Sequence, residues 1–129
     1  MDPARLKSIP LFGDLSDAER EKVARWADEV EVDEGKHLVD EGRFAYEFFV
    51  IEQGTADVRH GDETIGQLGP GDFFGEIALL EHVRRTASVV ATSPMRAVVM
   101  FGRDFRSMEN EMPAVADRIK RAVEERKRR

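Results

Sequence analysis

Glycine is concentrated in the middle of this chain. Eight of the ten glycines fall between residues 35 and 75, where they separate short apolar runs such as HLVDE, YEFFVIE, TADVRH and TIGQL. Short runs joined by tight turns are typical of a sandwich or barrel of many β-strands. Gly61-Asp62 is a hairpin signal, and Pro70-Gly71 suits a type II turn. After residue 87, ASVVA and MRAVVMF predict two further strands.

The beginning of the chain has a helical pattern instead. In LSDAEREKVARWADE, Ser16 and Glu19 have the spacing of a capping box. Apolar residues recur every three or four positions from Val23 to Val30, which predicts a helix packed on one side. Upstream, ARLKSIPLF predicts a short helical turn that ends at Pro10.

The end of the chain is also predicted to be helical. GRDFRSMENEM forms one segment, and PAVADRIKRAVEERKRR forms a second that begins at Pro113, a residue suited to a first helical position. An apolar stripe runs through both segments at Met108, Met112, Val115, Ile119 and Val123. The stripe is expected either to pack on the β region or to meet a partner.

Composition restricts the class of protein. The 129 residues suffice for one hydrophobic core and contain no cysteine, so disulfides and thiolate metal sites are excluded and a cytoplasmic location is expected. No run approaches the roughly 18 apolar residues of a membrane span, and the first ten residues, MDPARLKSIP, lack the apolar core of a secretory signal. The net charge is −6, although residues 117–129 carry +4. An acidic body argues against nucleic-acid binding, and the basic tail suits a helix C-terminus.

The stretch FFGEIALLEHVRRTAS, residues 73–88, contains the candidate site. Gly75 allows a sharp turn and a close ligand approach, and the helical turn predicted after it would present free N–H groups to an anion. An arginine would add a forked donor for phosphate oxygens, whereas Glu76 requires a ligand that also donates, such as a ribose hydroxyl. Without a Lys-Ser or Lys-Thr phosphate loop or an acidic Mg²⁺ cluster, a cyclic nucleotide fits better than a triphosphate. On residue types alone, a solvated Arg84-Arg85 pair and an ordinary first-turn glutamate fit equally well.

The same stretch resembles the phosphate-binding cassette of cyclic nucleotide-binding domains. These domains occur in regulatory subunits of cyclic-nucleotide-dependent kinases, in gated channels and in catabolite-activator-type regulators. The family pattern is Phe-Gly-Glu, an apolar residue and Ala-Leu, then after a short loop Arg, two small residues and Ser or Thr. Here these are Phe74, Gly75, Glu76, Ile77, Ala78 and Leu79, followed by Arg85, Thr86, Ala87 and Ser88.

The resemblance implies a role for each cassette residue. Glu76 would accept a hydrogen bond from the ribose 2′-hydroxyl, and Arg85 would pair with the exocyclic phosphate oxygens. The backbone N–H groups of Ile77, Ala78 and Ala87 would complete the phosphate site. Arg84 would instead face solvent.

The resemblance also implies residues around the base. Val58 and Leu68 would line it, and Arg126, on the last helix, would lie over it, where Ile119 or Val123 could close the apolar side. In this family a threonine after the arginine is compatible with either cAMP or cGMP, so Thr86 does not decide between them. We expect cAMP to be preferred.

The implied fold is an α+β, mainly β, domain with an eight-stranded β-roll. One domain over residues 1–129 would comprise an N-terminal helical entry (1–30), the roll (31–101, with the cassette at 73–88) and hinge and lid helices (102–129). The implied function is non-catalytic binding of a cyclic nucleotide by a regulatory module without cofactors, which is expected to be a monomer and to signal to an unknown effector protein or domain.

Three alternatives belong to other classes. A small metal-binding β-barrel enzyme would need clustered ligands, whereas His37, His60 and His82 have no paired spacing. The chain could also be the excised sensor domain of a channel or a transcription regulator. Finally, a β-roll that has lost its ligand could act as a protein-interaction scaffold, although both Glu76 and Arg85 are present.

Overall fold

A computed structural model describes residues 1–43, 47–74 and 87–127 of the chain. Its helices are α1 (Pro3–Leu6), α2 (Pro10–Gly13), α3 (Asp17–Val23) with a 3₁₀ turn at Ala24–Trp26, α4 (Gly102–Glu111) and α5 (Pro113–Lys127). Its strands are β1 (Asp28–Val32), β2 (His37–Val39), β3 (Glu47–Gln53), β4 (Ala56–His60), β5 (Glu63–Leu68), β6 (Phe73–Phe74), β7 (Ser88–Ala91) and β8 (Met95–Phe101). None of these helices is long and apolar enough to cross a membrane.

The strands of the described ranges form two antiparallel sheets. Sheet A has the order β1-β8-β3-β6, and sheet B has the order β2-β7-β4-β5. Neighbouring strands in both sheets are mostly distant in sequence, which is the arrangement of a roll rather than of a simple meander. The expected α+β fold, with an eight-stranded β-roll between terminal helices, is confirmed.

Sheet A is the middle layer of three. Successive side chains of a strand point to opposite faces, and in β3 both faces are buried. Phe48 and Val50 point to the terminal helices, whereas Phe49 and Ile51 point to sheet B. The nearly continuous apolar sequence of β3 follows from this double burial.

Two cores result, one on each face of sheet A. The helix-side core contains apolar residues of all five helices and of sheet A, and the inter-sheet core lies between sheets A and B. Met108, Val115 and Ile119 of the predicted apolar stripe are buried in the helix-side core. The described part of the stripe, from Met108 to Ile119, therefore packs within the domain.

The N-terminal helix is shorter than the sequence predicts. The capping box is confirmed, because Ser16 Oγ accepts from the Glu19 N–H (3.1 Å) and Glu19 Oε1 accepts from the Ser16 N–H (2.8 Å). The helix ends at Val23, however, and Val30 lies in β1 opposite Ala97 of β8. Strand pairing with a distant segment thus overrides the local helical spacing. Because β1 begins at Asp28, the predicted start of the roll at residue 31 is three residues late.

Proline and glycine mark the short connections. Pro10 begins α2 rather than ending the preceding turn, because a first helical position needs no N–H donor. The predicted hairpin at Gly61-Asp62 joins β4 to β5, with Gly61 at a φ of 59°. The turn at Pro70-Gly71 places Gly71 at a φ of 89°, as a type II turn requires.

Candidate functional site

The candidate site lies on the connection from β6 to β7. This connection leaves the edge of sheet A and enters sheet B between β2 and β4. Most of the predicted ligand-binding residues lie outside the described residues; these are Gly75, Glu76, Ile77, Ala78, Arg85 and Thr86. The structure does describe the two ends of the connection, Phe74 and Ala87, and the residues predicted to line the base.

The first end is fixed by Phe74. Its ring stacks on Phe49, with centroids 4.9 Å apart and planes inclined by 14°, and both rings lie in the inter-sheet core. Phe73 points the other way and packs against Phe48 in the helix-side core, at 5.7 Å between centroids. Two consecutive aromatic residues therefore anchor β6 in both cores just before Gly75.

The second end is fixed by the start of β7. Ala87 is half-buried, and Val89 is buried in the inter-sheet core opposite Val58 of β4. Between them, the Ser88 hydroxyl accepts a hydrogen bond of 2.9 Å from the Glu41 N–H. The predicted phosphate-contacting residue Ala87 thus directly precedes a strand that is held on both sides.

The predicted base-lining residues lie in sheet B. Val58 is opposite Gly66 in β5, and Leu68 is opposite Ala56 in β4. Both Val58 and Leu68 belong to the inter-sheet core, with Val58 half-buried at its margin. The structure therefore brings Val58, Leu68 and Phe74 into one apolar cluster.

The predicted lid residues lie on α5. Arg126 is in the last turns of this helix, and its side chain, like that of Val123, is outside what the structure describes. Ile119 is buried in the helix-side core, on the other face of sheet A from Val58 and Leu68. In this arrangement Ile119 does not join the base-lining residues.

Three polar residues beside the site were not assigned a role from the sequence. Glu41 and His60 lie 3.3 Å apart (Oε1 to Nδ1), and Glu41 also contacts Ser88. The serine is recognisable as the last residue of the cassette pattern. Its pairing with Glu41 joins positions 47 residues apart, so no local spacing could have indicated it.

Clear pKa shifts among the described groups occur away from this connection. Hydrogen bonding to the Ser16 N–H lowers the pKa of Glu19, whereas burial and the neighbouring Glu29 raise the pKa of Glu52. Glu31 raises the pKa of the Arg96 guanidinium. Within the described ranges, no group of three or more His, Asp or Glu side chains could hold a metal ion. The described part of the site therefore consists of the apolar residues around Val58 and Leu68 and of the two ends of the β6–β7 connection, which are packed into the sheets.

Comparison with known proteins agrees with this architecture. A family model described as the cyclic nucleotide-binding domain matches residues 29–111. That range includes β1 from its second residue, the other seven strands of the described ranges, α4 and the whole connection from β6 to β7.

Individual relatives cover most of the chain. A cAMP-dependent protein kinase regulatory subunit of Mycosarcoma maydis is 35% identical over an alignment of 122 positions, and the match covers 88% of this chain and 23% of that protein. The structure of PfPKA-R with cAMP bound has a TM-score of 0.79 and 27% identity, covering 98% of this chain and 44% of that one. The catabolite activator protein of Thermus thermophilus has a TM-score of 0.80 and 26% identity, with 92% and 58% covered.

The chain thus spans about a quarter of the length of the regulatory subunit it matches. The family match, by contrast, extends over well more than half of the chain and reaches every strand of both sheets. This chain belongs to the cyclic nucleotide-binding domain family.

Proposed function

We propose that this domain binds a cyclic nucleotide, with a preference for cAMP over cGMP, and acts as a regulatory sensor without catalysis. The observation that carries the proposal is the family match over residues 29–111, within which the cassette retains both its acid and its arginine. A structural relative with 27% identity over nearly the whole chain holds cAMP.

The connection from β6 to β7 binds the phosphate and the ribose. Arg85 offers a planar, forked donor to the two exocyclic oxygens of a singly charged diester, and the N–H groups of Ile77, Ala78 and Ala87 supply further donors. Glu76 accepts from the ribose 2′-hydroxyl, which distinguishes a ribonucleotide from its deoxy analogue. The acid would repel an anion that brought no donor of its own.

The base is held by apolar contacts. Val58 and Leu68 lie in the same cluster as Phe74, one residue before the cassette glycine, so a ligand bound by the cassette has apolar residues of sheet B within reach. The half-buried Val58 offers the exposed part of this surface. Thr86 suits cAMP or cGMP, and Arg126 would lie over the base.

The signal passes to another protein or domain. Phe73 and Phe74 place consecutive residues of β6 in the helix-side core and in the inter-sheet core. A ligand that moves the cassette can therefore bias the packing of α4 and α5, provided that it prefers one arrangement. The effector of a kinase-type sensor would be a catalytic subunit, in keeping with the regulatory-subunit relative. We further propose that the domain is a cytoplasmic monomer. It would bind no nucleic acid and need no cofactor.

Calorimetric titration with cAMP and with cGMP tests the proposal. The matched variants are Arg85→Ala and Arg84→Ala, which remove neighbouring arginines of the same charge. Loss of the phosphate contact in Arg85→Ala should weaken binding by about tenfold or more, the scale of a charge-assisted hydrogen bond. Arg84→Ala should bind within about twofold of the original protein, as expected for a solvated charge.

The absence of heat and of a thermal shift with either nucleotide would overturn the sensor function. The roll would then be a protein-interaction scaffold. Equal weakening by the two arginine variants would instead point to general charge attraction rather than to a contact made by Arg85.

A further inference from the structure

The turn after β2, residues 40–43, makes an unusual set of contacts with sheet B. The ladder between β2 and β7 shifts register between His37 and Val39, and β2 ends at Val39. Two residues later, the Glu41 N–H donates a hydrogen bond of 2.9 Å to the Ser88 side chain. The acceptor is thus a hydroxyl on the first residue of β7.

The Glu41 side chain continues in the same direction. Its Oε1 accepts a hydrogen bond from the Gly61 N–H (3.1 Å) and lies 3.3 Å from His60 Nδ1. Gly61 is in the β4–β5 hairpin turn, and β7 lies between β2 and β4 in the sheet. Glu41 therefore contacts both the first residue of β7 and the end of β4 with its hairpin turn.

These contacts of Glu41 with Ser88, Gly61 and His60, called the tie below, join the two parts of the proposed ligand site. Ser88 follows Ala87, which contributes an N–H group to the phosphate, and His60 lies two residues after Val58, which contacts the base. Arg59 is opposite Ser88 in the β4–β7 ladder, so all these contacts lie at one end of sheet B. The contacts at this end of sheet B therefore influence the distance between the phosphate-binding and the base-binding residues.

We propose that Glu41 and Ser88 are positioning residues for the cyclic nucleotide: they hold the start of β7 against the β4–β5 hairpin without touching the ligand. The inference rests on the proposed function. The tie is exposed at the surface, with the Glu41 side chain 39% exposed. Exposed polar contacts contribute little to stability, so their removal should act on affinity more than on folding.

The chain offers a matched control at the other end of β7. Ser93 Oγ accepts from the Thr55 N–H at 3.0 Å, which is the same kind of bond between a hydroxyl and a backbone N–H, and it is equally exposed. Ser93 lies beyond Ala91, away from the cassette. Ser93 Oγ also accepts a hydrogen bond from Thr55 Oγ1 at 3.3 Å and donates one to the Pro94 carbonyl at 3.1 Å. Removing either hydroxyl deletes a bond to a backbone N–H, but only the Ser88 bond lies beside the proposed site.

The test is calorimetric titration of cAMP into Ser88→Ala, Ser88→Thr, Ser93→Ala, Glu41→Ala and the double variant of Glu41 and Ser88, each checked by thermal unfolding. We expect Ser88→Ala to weaken binding by at least about fivefold, with Ser88→Thr restoring it and Ser93→Ala within about twofold. Glu41→Ala should weaken binding as well. The double variant should be no weaker than Ser88→Ala alone, because both changes break one tie.

A ligand-free measurement accompanies the titration. In nucleotide-free protein, Glu41→Ala should shift the amide nitrogen resonance of Ser88, whereas Ser93→Ala should leave it unchanged. Failure of the unmodified domain to bind cAMP or cGMP would overturn the proposed function together with this inference. Nucleotide binding that is equally insensitive to Ser88→Ala and Ser93→Ala would overturn this inference alone, as would additive effects of the Glu41 and Ser88 changes.

Discussion

Two carboxylates, Glu29 and Glu52, lie together where the helix-facing side of sheet A becomes polar. Arg5 of α1 contacts both, at 3.4 Å from Glu29 and 3.5 Å from Glu52. Each carboxyl group has one buried oxygen without a hydrogen-bond partner. Burial, followed by the adjacent Glu29, raises the pKa of Glu52, and the nearby arginines only partly oppose this.

A raised carboxyl pKa makes stability depend on pH. Because the folded protein binds this proton more tightly than the unfolded chain, stability is lost as pH rises from the ordinary glutamate value through the raised pKa of Glu52. Glu52→Gln should therefore unfold at a higher temperature than the original protein at pH 8. The difference should vanish below a pH of about 4.3, where both side chains are neutral.

Thermal unfolding between pH 4 and pH 8 measures this dependence. Glu63→Gln is the control, because Glu63 is an exposed glutamate on β5, and its profile should follow that of the original protein. A Glu52→Gln protein that is less stable than the original at pH 8 would contradict the account. The ion pair with Arg5 would then outweigh the cost of burial.

A second residue-scale prediction concerns Gly54, between β3 and β4. Gly54 has a φ of 97°, and a Cβ added there would lie 2.5 Å from the Pro94 carbonyl oxygen. Gly54→Ala should therefore cost more than the roughly 1–2 kcal/mol of left-handed strain. Gly35→Ala is the control, since Gly35 has a φ of 89° but open space around its Cβ position. Urea unfolding should rank Gly54→Ala clearly below Gly35→Ala, and equal losses would contradict the close approach.

At the scale of elements, α4 and α5 are held by apolar packing. Ile119 is 2% exposed in the helix-side core, so Ile119→Ala should destabilise the domain by roughly 2–4 kcal/mol. Glu124→Ala, an exposed change on the same helix, should be nearly neutral. Chemical denaturation compares the two. A loss below about 1 kcal/mol for Ile119→Ala would show that α5 is not docked on the roll in solution.

Helix ends and turns could be predicted from the sequence where they depend on neighbouring residues. The capping box at Ser16 and the turns at Gly61 and Gly71 depend on neighbouring residues, and all three were predicted from the sequence. Val30 was assigned to a helix because its spacing from Val23 fits one, but β1 forms by pairing with β8, more than 60 residues later. Long-range pairing of this kind leaves no local signal.

The same distinction applies to the site. A local motif indicated the cassette residues, and those at positions 75–86 lie outside the described ranges, so their roles stay predictions. Val58 and Leu68 were assigned despite uncertain strand register, and the structure places both in the inter-sheet core. The tie from Glu41 to Ser88 arises only when the two sheets assemble, and it could not be predicted from spacing.

At the scale of the whole molecule, the three layers separate ligand recognition from its readout. Phe74 and the base-lining residues belong to the inter-sheet core, whereas α4 and α5 pack on the opposite face of sheet A. Sheet A therefore lies between the base-lining residues and the buried side chains of α4 and α5 that the structure describes. The paired rings of Phe48 with Phe73 and of Phe49 with Phe74 connect the two cores through β3 and β6.

Titration of the ¹⁵N-labelled domain with cAMP, followed by amide chemical shifts, tests the central claim most directly. We expect saturable shifts for residues 75–87 and for Val58 and Leu68, with smaller changes in α4 and α5. Absence of shifts would contradict cyclic nucleotide binding. Shifts confined to the surface cleft lined by Glu31, Gln53 and Arg96 would contradict the proposed location of the site.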